Sequence, residues 1–375
     1  MQSTIDACLA AKRKAADALG SPIPAAAGER SSSRLGAKYE VDNRRMTPDE
    51  LRAHTARLTL QPKDFGGGFG PPQEPIEAYD VDPHRAVLRV PRFYGLAHFG
   101  PPMADDRVVG VALPESIVFA SRLSASQTQA RDAVVHQLLH RPGNGCILKR
   151  KAGGGKTVIA LAVARQIGRR TIVFSHKTDL LDQWRDRIEQ HLPGGTIGRV
   201  QQTRVDVDAD LVLATLQSVA LRDYPPETFS DFGLAIFDEA HHMAAKHFFT
   251  VLGKLPTLCV LGLSATPERR DGLTCLLHYG LGEVVVAGSE HDQAERVSVK
   301  RITYRGGAQR EVLCRGRPCM PLMINDLAAD LRRTLTIVDE VCRLFDAGYR
   351  TIVLSDRIAH LREIADHLTG SSTTC

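Results

Sequence analysis

The sequence predicts an α/β protein organised around a mostly parallel β-sheet. Short apolar runs recur between residues 120 and 290 and alternate with amphipathic stretches. Runs that are apolar throughout are typical of strands covered by helices on both faces. They read CIL (146–148), TIVF (171–174), LVLA (211–214), LAIF (234–237), CVLGL (259–263) and EVVVA (283–287).

The stretches between these runs predict helices that cross over from one strand to the next. KTVIALAVARQIG (156–168) has apolar residues at 158, 159, 161, 163 and 167, which is a helical spacing. In such sheets ligands bind beyond the carboxyl ends of the strands. We therefore expect the ends of CIL, LAIF and LGL to form one functional edge.

Composition sets the outer limits of the interpretation. A chain of 375 residues suggests two or three domains, and 43% hydrophobic and 24% charged residues are typical of a globular protein. The net charge of +5 permits a polyanionic partner without requiring one. No apolar run approaches the ~18 residues of a membrane span, and the first residues lack a signal-peptide core. We expect an intracellular protein without a membrane partner, in the nucleus, in the cytoplasm or at a viral replication site.

Four regions follow from shifts in composition along the chain. Residues 1–80, rich in Ala, Ser, Gly and Pro, are predicted to be mostly disordered or irregular. Aromatic residues return in residues 81–118, which predicts a small β-containing accessory module. Residues 119–290 form the parallel α/β domain. Residues 296–375 form a second unit with a helical stretch at 325–348 and a strand, TIVLS, at 351–355.

A glycine-rich turn between a predicted strand and a predicted helix indicates a phosphate site. Residues Gly153, Gly154, Gly155, Lys156 and Thr157 satisfy the pattern GxGK[ST]. Glycines allow backbone N–H groups to point at phosphate oxygens, Lys156 would reach the β- and γ-phosphates, and Thr157 would bind Mg²⁺. The alternative is a glycine-rich turn with a capping threonine. The basic residues at 149–151 either add positive potential for phosphates or are surface charges.

Two acids end the strand LAIF. Asp238 and Glu239 are adjacent, so their side chains diverge, and one carboxylate can face a metal ion while the other faces the γ-phosphate. We assign Asp238 to Mg²⁺ and Glu239 to the attacking water. A solvated turn is the alternative for an isolated acid pair, but the glycine turn elsewhere in the same sheet favours a nucleotide site.

These motifs together resemble the core of superfamily 2 helicases. AGGGKT, DEAH and LGLSATPERRDGL (261–273) are most similar to the branch that holds the xeroderma-pigmentosum group B type helicases and those of large DNA viruses. The resemblance implies a DEAH-type ATP hydrolase with a RecA-like P-loop NTPase fold, ATP and Mg²⁺ as cofactors, and DNA or RNA as partner. Further matches, in the family's order, are LRVPRFYG (88–95), SQTQ (126–129), FSHKTDLLDQW (174–184), ATLQSVA (214–220) and VLSDRIAHL (353–361).

The resemblance also implies roles for single residues. Gln127 would contact adenine, and His241 would couple the nucleotide site to the neighbouring domain. Ser264 and Thr266 would relay the state of the nucleotide site to the nucleic-acid groove. Each also has a structural alternative, such as a strand-end cap for Thr215 or Ser264. Trp184 has the helical spacing of a core residue. The residues that would contact the nucleic-acid backbone are His176, Lys177, Thr215, Gln217, Ser355 and Arg357.

The sequence departs from the family in its second unit. The family's second RecA-like domain ends in a Gln-x-x-Gly-Arg-x-x-Arg segment that carries an arginine finger, and no such segment occurs up to Cys375. We therefore expect an incomplete second RecA-like domain, a C-terminally truncated chain and a protein partner that supplies the arginine.

Three functions remain open from the sequence. The first is an ATP-dependent helicase or translocase in transcription or repair. The second is a non-catalytic fragment that binds ATP and nucleic acid. The motor subunit of a restriction system shares the core, but nothing in the sequence resembles a nuclease or methyltransferase site.

Overall fold

The computed structural model describes residues 32–62, 74–243, 245–268, 271–286, 300–304, 306, 311–314 and 317–370. The chain divides into two compact units, the first made of residues 1–65 and 73–294 and the second of residues 66–72 and 295–375. Within the described ranges, no helix is long and apolar enough to cross a membrane.

The first unit begins with a five-stranded accessory sheet of strand order β5-β6-β2-β1-β7. A separate two-stranded ladder, β3 with β4, lies beside it in the chain. The elements are β1 (Ser33–Leu35), β2 (Tyr39–Asp42), α1 (Pro48–Leu58), β3 (Thr59–Leu60), β4 (Ile76–Glu77), β5 (Asp80–Asp82), β6 (Val87–Val90), α2 (Arg92–Phe99) and β7 (Ala104–Asp105).

Part of the region predicted to be mostly disordered or irregular, residues 1–80, has regular structure in this sheet. Residues 33–60 contribute three strands and an eleven-residue helix with a complete capping box between Thr47 and Glu50. The strands have only two to four residues, too few for a hydrophobic period to stand out from a Gly- and Ser-rich background. Strand pairing over 33–105 also extends the accessory module beyond the expected 81–118. Residues 1–31 and 63–73 lie outside the described residues.

An eight-stranded sheet forms the centre of the first unit, with strand order β11-β10-β12-β9-β13-β14-β8-β15. Neighbouring strands run parallel, apart from the antiparallel β10–β11 pair. All six apolar runs of the sequence lie in this sheet, which confirms the predicted α/β class. The strands are β8 (Gly145–Lys149), β9 (Thr171–Ser175), β10 (Ile197–Gln201), β11 (Arg204–Val205), β12 (Leu211–Thr215), β13 (Leu234–Phe237), β14 (Cys259–Ser264) and β15 (Glu283–Val286).

Helices cover both faces of the central sheet. On one face α3 (Ala125–His140), α4 (Lys156–Ile167) and α5 (Thr178–His191) pack on alternate strand residues in one apolar core. On the other face α6 (Leu216–Ala220), α7 (Ala245–Leu252) and α8 (Thr274–Leu281) do the same. The sheet is therefore doubly wound, and its carboxyl-end loops are open to ligands.

Two arginines hold the accessory module against the amino ends of the central strands. Arg92 is buried and donates to the carbonyls of Gly143, Thr257 and Leu258, at 3.2, 2.7 and 3.0 Å. Arg107 also donates to the Gly143 carbonyl, at 3.0 Å. These contacts lie just before β8 and β14, opposite the functional edge.

The second unit is described by a short hairpin and three helices. The hairpin pairs β16 (Leu313–Cys314) with β17 (Arg317–Pro318), and α9 (Met320–Ala328), α10 (Leu331–Asp346) and α11 (Ile358–Gly370) follow. The predicted helical stretch at 325–348 is present, divided where Asp330 caps α10.

The strand expected at 351–355 is not formed. Residues 351–355 have no strand assignment, and the side chains of Ile352 and Leu354 are 85% and 88% exposed. A strand requires a neighbour to share its backbone hydrogen bonds, and in the described part of this unit only the 313–318 hairpin is paired. Of the RVSVKRITYR segment (296–305), residues 300–304 are described and form no strand, and the other five residues lie outside the described residues. A partial second RecA-like domain stays a prediction.

Candidate nucleotide site

The glycine turn lies where the sequence predicts it, between the end of β8 and the start of α4. Gly153 and Gly155 adopt left-handed backbone conformations, with φ of 74° and 81°. Gly155 is the residue before the first turn of α4, and a Cβ there would lie 2.4 Å from Nε2 of Gln127. Only glycine fits both the backbone angle and the space. The first N–H groups of α4 are thereby left to face an anion.

Lys156 is the first residue of α4 and is buried. Its ammonium lies 3.4 Å from Oε1 of Glu239 and donates to the Arg150 carbonyl at 3.4 Å. Thr157, partly buried, follows it in the first helical turn. The turn and the acid pair therefore meet at one point of the sheet edge.

Asp238 directly follows β13 and is buried, and both of its carboxylate oxygens accept hydrogen bonds. Oδ2 accepts from the indole N–H of Trp184 at 2.8 Å, and Oδ1 accepts from the backbone N–H of Glu239 at 3.0 Å. Burial raises the pKa of Asp238, while the Trp184 hydrogen bond and the Lys156 charge oppose that rise. The carboxylate is held in one orientation.

Glu239 adopts a left-handed backbone conformation with φ of 46°, which is uncommon for a residue other than glycine. Besides the Oε1 contact with Lys156, its Oε2 lies 3.5 Å from Nδ1 of His241. Such strain persists only where surrounding contacts impose it, and it concentrates at functional sites. Here the unusual turn aims the Glu239 carboxylate back at the glycine loop.

The donor set fits a magnesium ion. Mg²⁺ takes oxygen ligands and usually needs only one or two protein groups in addition to phosphate and water oxygens. Thr157 and Asp238 supply a hydroxyl and a fixed carboxylate of that kind. Among the residues that the structure describes, no group of three His, Cys, Asp or Glu side chains could form a metal cage of protein ligands alone.

His241 and Ser264 come together, as expected for residues that connect the acid pair to β14. Nδ1 of His241 lies 2.9 Å from Oγ of Ser264, which is fully buried at the end of β14. A short path therefore runs from Glu239 through His241 to Ser264. Thr266 follows two residues later and is exposed.

Comparison with known proteins agrees with this geometry. Residues 121–269 match the family described as "Type III restriction enzyme, res subunit". A putative ATP-dependent RNA helicase of Acanthamoeba polyphaga mimivirus is 29% identical over 294 residues, which cover 76% of this chain and 56% of the relative. A probable helicase of Escherichia phage T5 is 25% identical over 229 residues, which cover 61% and 49%.

The chain is thus similar to proteins described as helicases. It spans about half the length of these two curated relatives. Among solved structures, the UvsW helicase from bacteriophage T4 matches with a TM-score of 0.48 and 19% identity, over 68% of this chain and all of that one.

The helicase-type residues expected to contact nucleic acid fall into two groups. In the first unit His176 and Lys177 follow β9, and Thr215 and Gln217 lie at the end of the neighbouring β12. Lys177 and Gln217 are exposed, and Thr215 donates to Ser218 at 2.6 Å. Both loops lie at the functional edge of the sheet.

The ring of His176 is packed beside a second imidazole. It lies 5.5 Å from the ring of His242, and its buried Nδ1 has no hydrogen-bond partner among the residues that the structure describes. Burial and the neighbouring His242 lower the pKa of His176. This side chain is therefore neutral near pH 7, and it would contact a nucleic-acid backbone by hydrogen bonding.

Ser355 and Arg357 lie in the second unit and contact residues of that unit. Oγ of Ser355 lies 3.1 Å from Nδ1 of His360. The Arg357 guanidinium donates to the side chain of Asn325 and to the Pro321 carbonyl at 3.2 Å. These two residues hold the loop before α11 against α9.

Gln127 lies beside the glycine turn, but its carbonyl is already engaged. The side-chain Oε1 of Gln127 accepts from the Ser124 backbone N–H at 2.9 Å, and the backbone N–H of Gln127 donates to the Ser124 hydroxyl at 3.2 Å. Its Nε2 faces Gly155. The structure thus gives Gln127 a role in starting α3 and supporting the turn, while adenine contact stays a prediction.

Two residues of the site were not assigned to it from sequence. Trp184 was expected only to be a core residue, and it is buried, but it also binds Asp238. Arg150 was one of three basic residues with no chosen role. It donates to the Gly154 carbonyl at 2.7 Å and to the Ser126 hydroxyl at 2.8 Å, so it joins the turn to α3. Two features of the sequence could have indicated these roles. They are the polar N–H group of the otherwise apolar Trp184 and the position of Arg150 next to the glycine turn.

Proposed function

We propose that this chain is an ATP-dependent nucleic-acid helicase or translocase, which couples ATP hydrolysis to movement on DNA or to its unwinding. The observation that carries the proposal is the 3.4 Å contact between Lys156 and Glu239, beside the buried Asp238. Three groups with the chemistry needed for phosphoryl transfer meet where a phosphate-binding turn opens a helix.

The proposed chemistry uses side chains that are already positioned. The ammonium of Lys156 would neutralise charge on the β- and γ-phosphates, and the Glu239 carboxylate would orient a water and accept its proton. Mg²⁺, held by Thr157 and Asp238, would supply further charge stabilisation at the phosphate oxygens. The enzyme class is thus an ATP hydrolase of the DEAH type, named from Asp238 to His241.

Coupling would run through the contact between His241 and Ser264. Because Glu239 lies within 3.5 Å of His241, a change at the γ-phosphate would be transmitted through His241 to Ser264 at the end of β14. From there Thr266 would carry it to the nucleic-acid groove. In the first unit, the residues that would contact a nucleic-acid backbone are His176, Lys177, Thr215 and Gln217. In the second unit, Ser355 and Arg357 are proposed for the same kind of contact.

DNA is the proposed polymer, with RNA as the alternative. Backbone contacts tolerate any sequence and are weakened by salt, and the net charge of +5 is compatible with either polymer. We place the chain nearest to the xeroderma-pigmentosum group B and large-DNA-virus branch, with a role in transcription or repair inside the cell. The viral origin of the matching relatives supports that branch.

The test is ATP turnover with and without single-stranded DNA, repeated with single-stranded RNA. We expect one polymer to stimulate turnover, and Glu239→Gln to lower it at least about 100-fold while nucleotide binding persists. Glu189→Gln, an exposed change on α5, is the matched control and should leave turnover unchanged. Equal turnover in wild type and Glu239→Gln would refute the proposed ATP hydrolase activity.

A second candidate is a protein that binds ATP and nucleic acid without turning ATP over. The 375 residues contain no Gln-x-x-Gly-Arg-x-x-Arg segment, and they span about half the length of the two curated relatives. An arginine finger contributes roughly 10³–10⁵ in rate where it has been measured. Nucleotide binding that depends on Lys156, with no turnover in any condition, would support this candidate and a partner protein that supplies the arginine.

A further inference from the structure

Trp184 is the only tryptophan in the chain and lies in the middle of α5. Its side chain is 1% exposed and is part of the apolar core between the sheet and the helices α3 to α5. A phenylalanine or leucine would also supply apolar surface to that core, although each is smaller and neither carries an N–H group in its side chain. The distinguishing atom of tryptophan is its indole N–H, and that atom donates to Oδ2 of Asp238 at 2.8 Å.

The bond matters because Asp238 has few other restraints. Its second oxygen accepts from the backbone N–H of the next residue, Glu239. That bond alone would leave the carboxylate free to turn about its last torsion, which is broad for aspartate. With the indole in place, both oxygens are fixed and their remaining lone pairs point in set directions. Burial disfavours the ionised carboxylate, and the indole N–H favours it.

The same helix begins at a loop with a different predicted role. Thr178, the first residue of α5, follows His176 and Lys177, and no side chain caps this end of the helix. Trp184 lies six residues after Thr178, about 9 Å along the helix axis. Because a helix moves largely as a rigid body, a shift of its first turn displaces the indole as well.

We propose that Trp184 is a positioning residue, which sets the Asp238 carboxylate for its metal ion and carries displacement of the loop before α5 to the nucleotide site. This inference rests on the proposed function. It adds a route from the nucleic-acid loop to the metal ligand that is separate from the His241–Ser264 contact. Groups that hydrogen-bond to metal ligands typically change metal affinity by about 10–100-fold.

The first experiment measures binding of a fluorescent ADP analogue by polarisation, with and without Mg²⁺. The key variant is Trp184→Phe, which keeps an aromatic side chain and removes the N–H. We expect its magnesium-dependent gain in affinity to fall about tenfold, while its affinity without magnesium stays within about twofold of wild type. Phe229→Leu alters a buried aromatic residue outside the site and should retain the full gain.

The second experiment uses Trp184 itself as the probe. Because no other tryptophan contributes, emission of the wild type should change when ADP and Mg²⁺ are added together. It should also change when an oligodeoxythymidine is added alone. Asp238→Asn should lose the magnesium response and keep the oligonucleotide response. If circular dichroism shows that Trp184→Phe does not fold, these emission changes alone test the inference about Trp184.

The outcomes separate the inference from the proposed function. Wild type without any magnesium-dependent nucleotide binding would overturn the proposed function. Wild type with such binding, together with an unchanged gain in folded Trp184→Phe or an emission that responds to neither ligand, would overturn the inference alone. The inference is supported if Trp184→Phe loses the magnesium-dependent gain in nucleotide affinity, Phe229→Leu keeps it, and wild-type emission changes with both ligands.

Discussion

Glu239 shows how one residue can be held in an unfavourable conformation by its site. A left-handed backbone costs a residue with a Cβ roughly 1–2 kcal/mol relative to the right-handed region. That cost is accepted here because the turn directs the carboxylate to Lys156. The sequence pointed to Asp238 and Glu239 as candidate site residues, since a strand ending in two carboxylates is unusual, and their roles stay predictions. It could not predict the backbone angle, which depends on neighbours that are distant in sequence.

The strain at Glu239 can be measured by comparing two substitutions. Glu239→Ala and Glu239→Gly both remove the carboxylate and its contact with Lys156, but only glycine adopts a φ of 46° without cost. We expect Glu239→Gly to be the more stable of the two by about 1 kcal/mol in urea unfolding. Equal stability would show that the turn relaxes once the carboxylate is gone.

Arg150 should act through the shape of its guanidinium as well as through its charge. It bridges Gly154 and Ser126 with separate nitrogens, and a lysine cannot reproduce that fork. We expect Arg150→Lys and Arg150→Ala both to weaken nucleotide binding by about tenfold, in line with the loss of a hydrogen bond to a charged group. Lys151→Ala, an exposed neighbour, should change binding by less than about twofold. Full binding by Arg150→Lys would assign the effect to charge alone.

At the scale of elements, long apolar strands were predictable and short or unpaired ones were not. The central strands are buried on both faces, and their composition alone indicates that. The accessory strands β1 and β2 are defined by cross-strand pairing, which a composition rich in Gly and Ser conceals. The segment at 351–355 has the composition of a strand without a paired neighbour. Strand propensity is thus realised only where other elements supply the hydrogen bonds.

Packing of α2 on β2 gives a prediction for the accessory module. A Cβ at Gly95 would lie 2.2 Å from Cγ of Tyr39, a buried ring whose hydroxyl donates to the Gly100 carbonyl. We expect Gly95→Ala to destabilise the module by about 1–3 kcal/mol, because the ring cannot move aside. Gly36→Ala is the matched control, since nothing lies within 4 Å of the added carbon. Thermal unfolding followed by circular dichroism compares them, and equal melting temperatures would contradict the expected overlap.

Across the whole first unit, buried histidines tie stability to pH. His54 is buried beside Tyr94, whose hydroxyl lies 2.9 Å from Nδ1, and beside His98. Burial, with a smaller contribution from the charge of His98, lowers the pKa of His54 to about 4. Its ordinary value is about 6.5, so the unfolded chain takes up a proton at a pH where the folded chain does not. Stability is therefore fully present above pH 6.5 and is lost as the pH falls toward 4.

The expected size of this loss is about 3 kcal/mol between pH 6.5 and 4. His54→Gln cannot titrate at this position. Its free energy of unfolding should therefore fall by about 3 kcal/mol less than that of the wild type between pH 6.5 and 4. Urea unfolding at several pH values measures the difference and cancels the contributions of other histidines. Parallel pH profiles for the two proteins would show that His54 is not the group responsible.

The contacts of Arg92 and Arg107 have a consequence for any attempt to shorten this protein. Every residue proposed to bind nucleotide lies after residue 119, so a fragment starting there looks sufficient on paper. Such a fragment would lose both guanidinium groups and leave the carbonyls of Gly143, Thr257 and Leu258 without these donors. Water would reach these carbonyls in the fragment, but the fragment would also lose Phe93, whose ring lies against Gly143, Gly145 and Gly282, and apolar surface of the central sheet would be exposed. The shortest fragment expected to fold should therefore begin upstream of β1, because residues of the accessory module complete the amino ends of the central strands.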